Sequence, residues 1–135
     1  VQASEERTAG QGRSFSIANA MDGDSLTYWA TNDGTLSGTI TFHWKTAQPI
    51  RYVMLQEHIK LGQRVKAFTI ETSNDGVNWN KRGGNIKTTT IGYKRIIPLN
   101  GSTSDSYSNA QSVKYLRVRI TDSRACPTLE NIALY

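Results

Sequence analysis

The sequence predicts an all-β domain, an antiparallel sandwich or barrel, on three observations. Apolar residues recur with a period of two rather than 3.6, turn-forming residues punctuate the apolar runs, and only Ser14–Met21 reads as a helical turn. Ile40, Phe42 and Trp44 alternate with Thr39, Thr41 and His43, and Phe68 and Ile70 alternate with Ala67, Thr69 and Glu71. Leu116, Val118 and Ile120 alternate with Tyr115, Arg117 and Arg119, and Ile132 and Leu134 with Asn131, Ala133 and Tyr135. Each run has one apolar and one polar face, as half-buried antiparallel strands require. Further strands are predicted at Arg51–Glu57, Trp79–Arg82, Asn85–Ile91 and Tyr93–Leu99. Asn74-Asp75-Gly76 between two runs reads as a hairpin. Gly83-Gly84 and Asn100-Gly101 mark further turns, and Ser102–Ser112, rich in Ser and Asn, reads as a long surface loop.

The length of 135 residues fits one domain spanning 1–135, long enough to bury about two thirds of its unfolded surface. A single cysteine, Cys126, excludes an internal disulfide and a Cys-based metal site. Beside Pro127 it reads as buried and inert. No run of about 18 apolar residues is present, so no membrane span is predicted. The chain opens on Val1 and reads as a segment of a longer or processed protein. Sixteen Lys+Arg against eleven Asp+Glu give a net charge of +5, which favours anionic partners. The basic residues are nevertheless scattered, and Arg117 and Arg119 alternate with apolar neighbours. That is the pattern of a solvated sheet face and argues against a nucleic-acid groove, which would also need interleaved stacking aromatics. Leu36 and Leu61 are the obvious apolar loop tips, too few to predict a membrane surface.

The segment from Asn19 to Trp29 carries the first chemical signal. Asp22 and Asp24 flank Gly23, and the hydroxyl of Thr27 follows three residues later. Hard oxygens converging at a tight bend suit Ca²⁺; the bland reading is an Asp-Gly turn before a strand. The spacing is not that of an EF-hand loop. At the other end of the chain, Glu130 has the parity of Ile132 and Leu134, which predicts an inward carboxylate. Such a group needs a metal or a buried Arg or Lys as partner.

These residues carry a resemblance. Asp22-Gly23-Asp24-Ser25-Leu26-Thr27-Tyr28-Trp29, Ser73-Asn74-Asp75-Gly76-Val77-Asn78-Trp79 and Leu129-Glu130-Asn131-Ile132-Ala133-Leu134-Tyr135 resemble, in order, three motifs of discoidin (factor V/VIII type C) domains, including family-32 carbohydrate-binding modules. The match runs from about residue 14 to the end. It implies a galactose-binding-domain-like jelly-roll sandwich of about five strands facing three. It also implies a structural calcium ion held by the carbonyls of Asn19, Asp24, Thr27 and Leu129, the Thr27 hydroxyl, and the carboxylates of Asp22 and Glu130.

Three further segments, Leu55–Lys66, Thr90–Arg95 and Arg119–Pro127, look most like domains appended to family-29 α-L-fucosidases of gut-type bacteria. That likeness implies an accessory module of a glycoside hydrolase in an exported bacterial protein, whether extracellular, periplasmic or on the cell surface. Its partners would be a glycan containing galactose or fucose and the parent catalytic domain, and the module itself is expected to be monomeric.

In such modules the sugar site lies in the loops at one end, where planar polar groups meet an aromatic face. The candidates are Asn32, Asp33, Glu57, His58, Lys60, Arg64, Tyr93, Lys94 and Arg124. Galactose binders of the family place a His after the first Trp and an Arg before an N-G-R stretch. Here Ala30, Glu57 and Gly62-Gln63-Arg64 stand at those places, which argues against galactose. Other roles compete: Arg64 pairing with Glu57 or Glu71, His58 as an exposed loop residue, Tyr93 in packing, and Trp29, Trp44 and Trp79 in the core. The end loops would then pack on a catalytic domain instead. No catalytic residues are predicted: the chain has no nucleophile elbow, no HExxH and no Walker or Rossmann glycines. Asp22 and Asp24 fit cation ligation better than a glycosidase carboxylate pair.

Overall fold

The computed structural model describes residues 1–8, 13–82, 90–99 and 110–135. Among the described residues, nine strands form two antiparallel sheets. They are β1 (Gln2–Ala3), β2 (Trp29–Ala30), β3 (Gly38–Ile50), β4 (Tyr52–Glu57), β5 (Val65–Ser73), β6 (Asn80–Arg82), β7 (Arg95–Pro98), β8 (Gln111–Ser123) and β9 (Thr128–Leu134). One sheet has the order β1-β3-β8-β5-β6 and the other β2-β9-β4-β7. The architecture is therefore a sandwich of five strands facing four. The extra strand relative to expectation is β2, only two residues long, too short to carry an alternation. Among the described residues the helical structure is limited to single 3-10 turns at Ile17–Met21 and Ile59–Leu61.

Alternation becomes packing through register. In the five-stranded sheet Ile40 faces Val118, which faces Ile70, and Gly38 faces Ile120, which faces Phe68. These rows line the inner face with side chains no more than 2% exposed. Val53, Leu55, Leu129 and Ile132 answer from the second sheet. Burying side chains of this size contributes about 1.5–3 kcal/mol each.

The outer face of the large sheet is polar, as the Arg117/Arg119 pattern predicted. Glu71 lies opposite Arg117 across the strands and pairs with it at 2.7 Å, while Arg119 lies 3.5 Å away. The Arg117 guanidinium sits 4.0 Å above the Trp79 ring. Trp79 is thus half-buried on this outer face, contrary to a core placement. The register supplies the reason: Lys81 lies opposite Glu71 on the outer face, and Trp79, two residues before it, shares that parity. Trp29 is fully buried, and Trp44 packs half-buried against the core beside Phe42.

Burial alone would raise the carboxyl pKa of Glu71. Hydrogen bonds from Arg117 and Thr69 and the charges of Arg117 and Arg119 outweigh it, so the group lies below its ordinary 4.5. A depressed carboxylate stabilises the fold fully above the unfolded value, and that stability is lost as pH falls through the folded value. Urea midpoints are therefore expected to drop below about pH 4.5, and to drop less steeply in Glu71→Gln. Equal acid limbs in the two proteins would contradict the assignment.

The predicted hairpin joins β5 to β6. The Asp75 carboxylate accepts the N–H groups of Asn78 and Val77 at 2.8 Å each, and these bonds, with those from the Asn78 and Ser73 side chains, hold its pKa far below the usual range. Strand β8 begins at Gln111, so Gln111 and Ser112 pair with β3 and do not belong to the surface loop expected over Ser102–Ser112. Residues 102–109 of that loop, the turns at Gly83-Gly84 and Asn100-Gly101, and residues 85–89 of the strand expected at Asn85–Ile91 lie outside the described residues. Ile91 is buried outside the strands.

Candidate functional site

The acidic turn is built around Gly23. Gly23 has φ +74° with open space around its Cα, a left-handed bend that other residues rarely adopt. The bend lets the Asp22 carboxylate accept the Asp24 N–H at 2.8 Å, while Asp24 accepts that of Leu26 at 2.9 Å. Thr27 Oγ1 stands at the centre of the cluster. It lies 2.5 Å from Asp22 Oδ2, 3.2 Å from the Asp24 carbonyl and 3.4 Å from the Asn19 carbonyl. The Thr27 hydroxyl and the Asp24 amide lower the Asp22 pKa, keeping that carboxylate charged.

The far end of the chain meets this turn. A cavity of about 140 Å³ is lined by Gly23, Asp24, Ser25, Gln56, Glu130 and Asn131. Glu130 arrives there through a bulge: Gln56 pairs with Asn131 but Glu57 pairs with Leu129, leaving Glu130 as the extra residue of β9. The bulge breaks the parity that placed Glu130 with Ile132 and Leu134, so Leu129 and Ile132 both enter the core and the Glu130 carboxylate stays 19% exposed. Its partner is neither Arg nor Lys but His58, whose Nδ1 lies 3.1 Å away. Among the described residues no three His, Cys, Asp or Glu side chains form a metal cluster. A cation here would rest largely on carbonyl and hydroxyl oxygens, a donor set that suits a hard ion.

Beside this turn, four loops meet at one end of the sandwich. Glu57, 1% exposed, closes β4 and faces inward. Its Oε1 accepts the N–H groups of Arg64 and Val65 at 2.8 and 2.9 Å, and its Oε2 accepts that of Gly92 at 2.7 Å. Gly92 takes φ +71° there and returns its carbonyl to the Glu57 N–H. Arg64 does not pair with Glu57 or Glu71 through its side chain. Its guanidinium instead donates to the Cys126 carbonyl at 2.9 Å, and its own carbonyl accepts the Arg124 N–H. Arg7 adds a clamp, reaching Asp33, the Cys126 sulfur and the Thr31 carbonyl. Asn32 accepts the Thr8 N–H at 3.0 Å. Cys126 is buried, as expected.

The nine loop candidates thus separate into two groups. Glu57, His58 and the Arg64 guanidinium are engaged inside the protein, and Asn32 and Asp33 are tied to the N-terminal segment. His58 is not an exposed loop residue: it is 6% exposed and stacked on Tyr28 with ring centroids 4.3 Å apart. A Tyr one residue after the acidic turn and a His one residue after a strand carry no sequence signal of that contact. Lys60, Tyr93, Lys94 and Arg124 remain open to solvent, Tyr93 at 66%. Arg7 was missed, because a lone basic residue before the first motif has no pattern to mark it.

The sequence profile of the F5/8 type C domain family matches residues 1–131. The chain belongs to the F5/8 type C domain family. As such a domain it resembles parts of larger proteins, among them a module derived from a larger enzyme. It is 32% identical over its whole length to 24% of the Oryza sativa subsp. japonica protein named "Putative alpha-L-fucosidase 1". It superposes on a Ruminococcus gnavus GH29 fucosidase solved in complex with fucose, with TM-score 0.80 and 25% identity, over 98% of this chain and 24% of that one. A chitosan-binding module from a Paenibacillus sp. IK-5 chitosanase/glucanase matches with TM-score 0.70 and 26% identity, over 99% of this chain and 92% of the module. This F5/8 type C domain therefore spans about a quarter of the fucosidases it resembles, and nearly all of the chitosan-binding module.

Proposed function

We propose that the domain is a non-catalytic carbohydrate-binding module, an accessory part of a glycoside hydrolase of the α-L-fucosidase kind, which holds that enzyme near its glycan. The observation that carries this reading is the loop end. Main-chain and buried polar contacts fix four loops, and Lys60, Tyr93, Lys94 and Arg124 are left exposed above them. Its likeness to a chitosan-binding module over nearly the whole length of both, and to one quarter of a fucosidase, supports it. In this proposal the module is monomeric and belongs to an exported bacterial protein.

An NMR titration with fucose, galactose and their oligosaccharides tests the proposal. Shifts of the Tyr93 and Lys94 amides are expected at millimolar sugar, where a single site contributes about 4 kcal/mol. Silence of every loop amide would reject it. A structural role, in which these loops brace a catalytic domain, is favoured by one observation: Ile59 and Leu61 are 40% and 43% exposed on the same end. It predicts that the loop amides become protected from hydrogen exchange in the full-length enzyme.

The turn would hold a structural Ca²⁺ through Asn19, Asp22, Asp24, Thr27, Leu129 and Glu130. The three oxygens gathered around Thr27 Oγ1 and the cavity shared with Glu130 support that ligand set. The ion would supply a fastening between the two ends of the chain, with no part in chemistry. Calcium at a hundredfold excess over its dissociation constant is expected to stabilise the fold by about 2.7 kcal/mol. A chelated sample melting at the same temperature as a calcium-loaded one would remove the ion from the proposal.

A further inference from the structure

We infer that the loop end selects anionic glycans, those bearing carboxylate or sulfate groups, over neutral ones. This deepens the carbohydrate-binding reading and rests on it. The inference comes from which charges the fold consumes and which it leaves. Glu57 is saturated by three main-chain amides, and Asp33 is paired with Arg7. Asp122 lies 3.3 Å from Lys66, Glu5 accepts the Asn32 N–H, and Glu130 meets His58. Each of these carboxylates therefore has a partner inside the protein.

The cations divide differently. Arg7, Arg64 and Lys66 are engaged. Lys60, Lys94 and Arg124 are exposed, and among the described residues none of the ion pairs includes them. Main-chain bonds bring their loops together: Gly92, two residues before Lys94, is tied to Glu57, and Arg64 is tied to Arg124. Lys60 projects from the turn between Glu57 and Arg64. Tyr93, next to Lys94, offers an open ring for the C–H face of a sugar. A polycationic glycan would be repelled by the same three groups, and a neutral one would leave them without a counter-charge.

The test is calorimetric titration of the chain with an oligogalacturonate and a sulfated chondroitin oligosaccharide. Each is compared with its neutral counterpart, methyl-esterified or desulfated and carboxyl-reduced. The acidic member of each pair is expected to bind about tenfold more tightly in dilute buffer. That advantage should vanish near about 0.5 M salt, where exposed charges are screened. The double variant Lys60→Ala/Lys94→Ala should lose the preference while keeping its melting temperature. Equal, salt-insensitive binding of charged and neutral members would overturn this inference and leave the carbohydrate reading standing. Failure of every saccharide to bind would overturn both, and binding only to phosphatidylserine vesicles would do so in favour of a lipid surface.

Discussion

Glu57→Gln is expected to lower the free energy of unfolding by about 3 kcal/mol and to loosen two loops at once. The carboxylate is 1% exposed and both of its oxygens are acceptors: one for Arg64 and Val65, the other for Gly92. Glutamine keeps the shape but offers one oxygen and one NH₂. Whichever way the amide is turned, a donor faces a donor, and at least one buried N–H loses its partner. Urea unfolding reads the stability. Hydrogen exchange of the Arg64, Val65 and Gly92 amides reads the location, and faster exchange should be confined to those loops. A loss under about 1 kcal/mol with unchanged exchange would show that water replaces the carboxylate.

Trp29→Ala is expected to cost about 3–5 kcal/mol, the range for emptying a large aromatic site in a core. Trp29 is fully buried, its indole N–H reaches the Glu5 carbonyl at 3.0 Å, and it pairs with Leu129. Gly38 lies so close that a Cβ there would stand 3.0 Å from the ring. Gly38→Ala should therefore destabilise the parent protein and cost less once Trp29 is alanine, when the Thr31 methyl at 3.3 Å remains as a close neighbour. This non-additivity is measurable as a double-mutant cycle. Additive effects would mean that the ring is not what confines Gly38.

The sandwich was legible because alternation survives single-sequence reading: Ile40, Phe42, Phe68, Ile70, Leu116 and Val118 all point inward as their period implied. The acidic turn was legible for a local reason, since Asp22, Gly23, Asp24 and Thr27 lie within one bend. What escaped detection depends on contacts between distant segments. Parity misplaced Glu130 because one bulge residue reverses the phase of a strand. The burial of Glu57 and His58 was hidden because their partners are main-chain amides some 7 to 35 residues away in one case and a carboxylate 72 residues away in the other. Trp79 looked like core because a hairpin motif marks the turn and not the face on which its last residue emerges.

The way Glu57 grips its neighbours bears on how such a domain changes over time. All three of its donors are main-chain groups, indifferent to the side chains attached to them, save for the glycine that Gly92's φ demands. Substitutions at Lys60, Gln63, Tyr93 or Lys94 can therefore accumulate without disturbing the scaffold beneath, so that new specificities can be sampled by drift, or by a randomised library, on a chassis that stays the same.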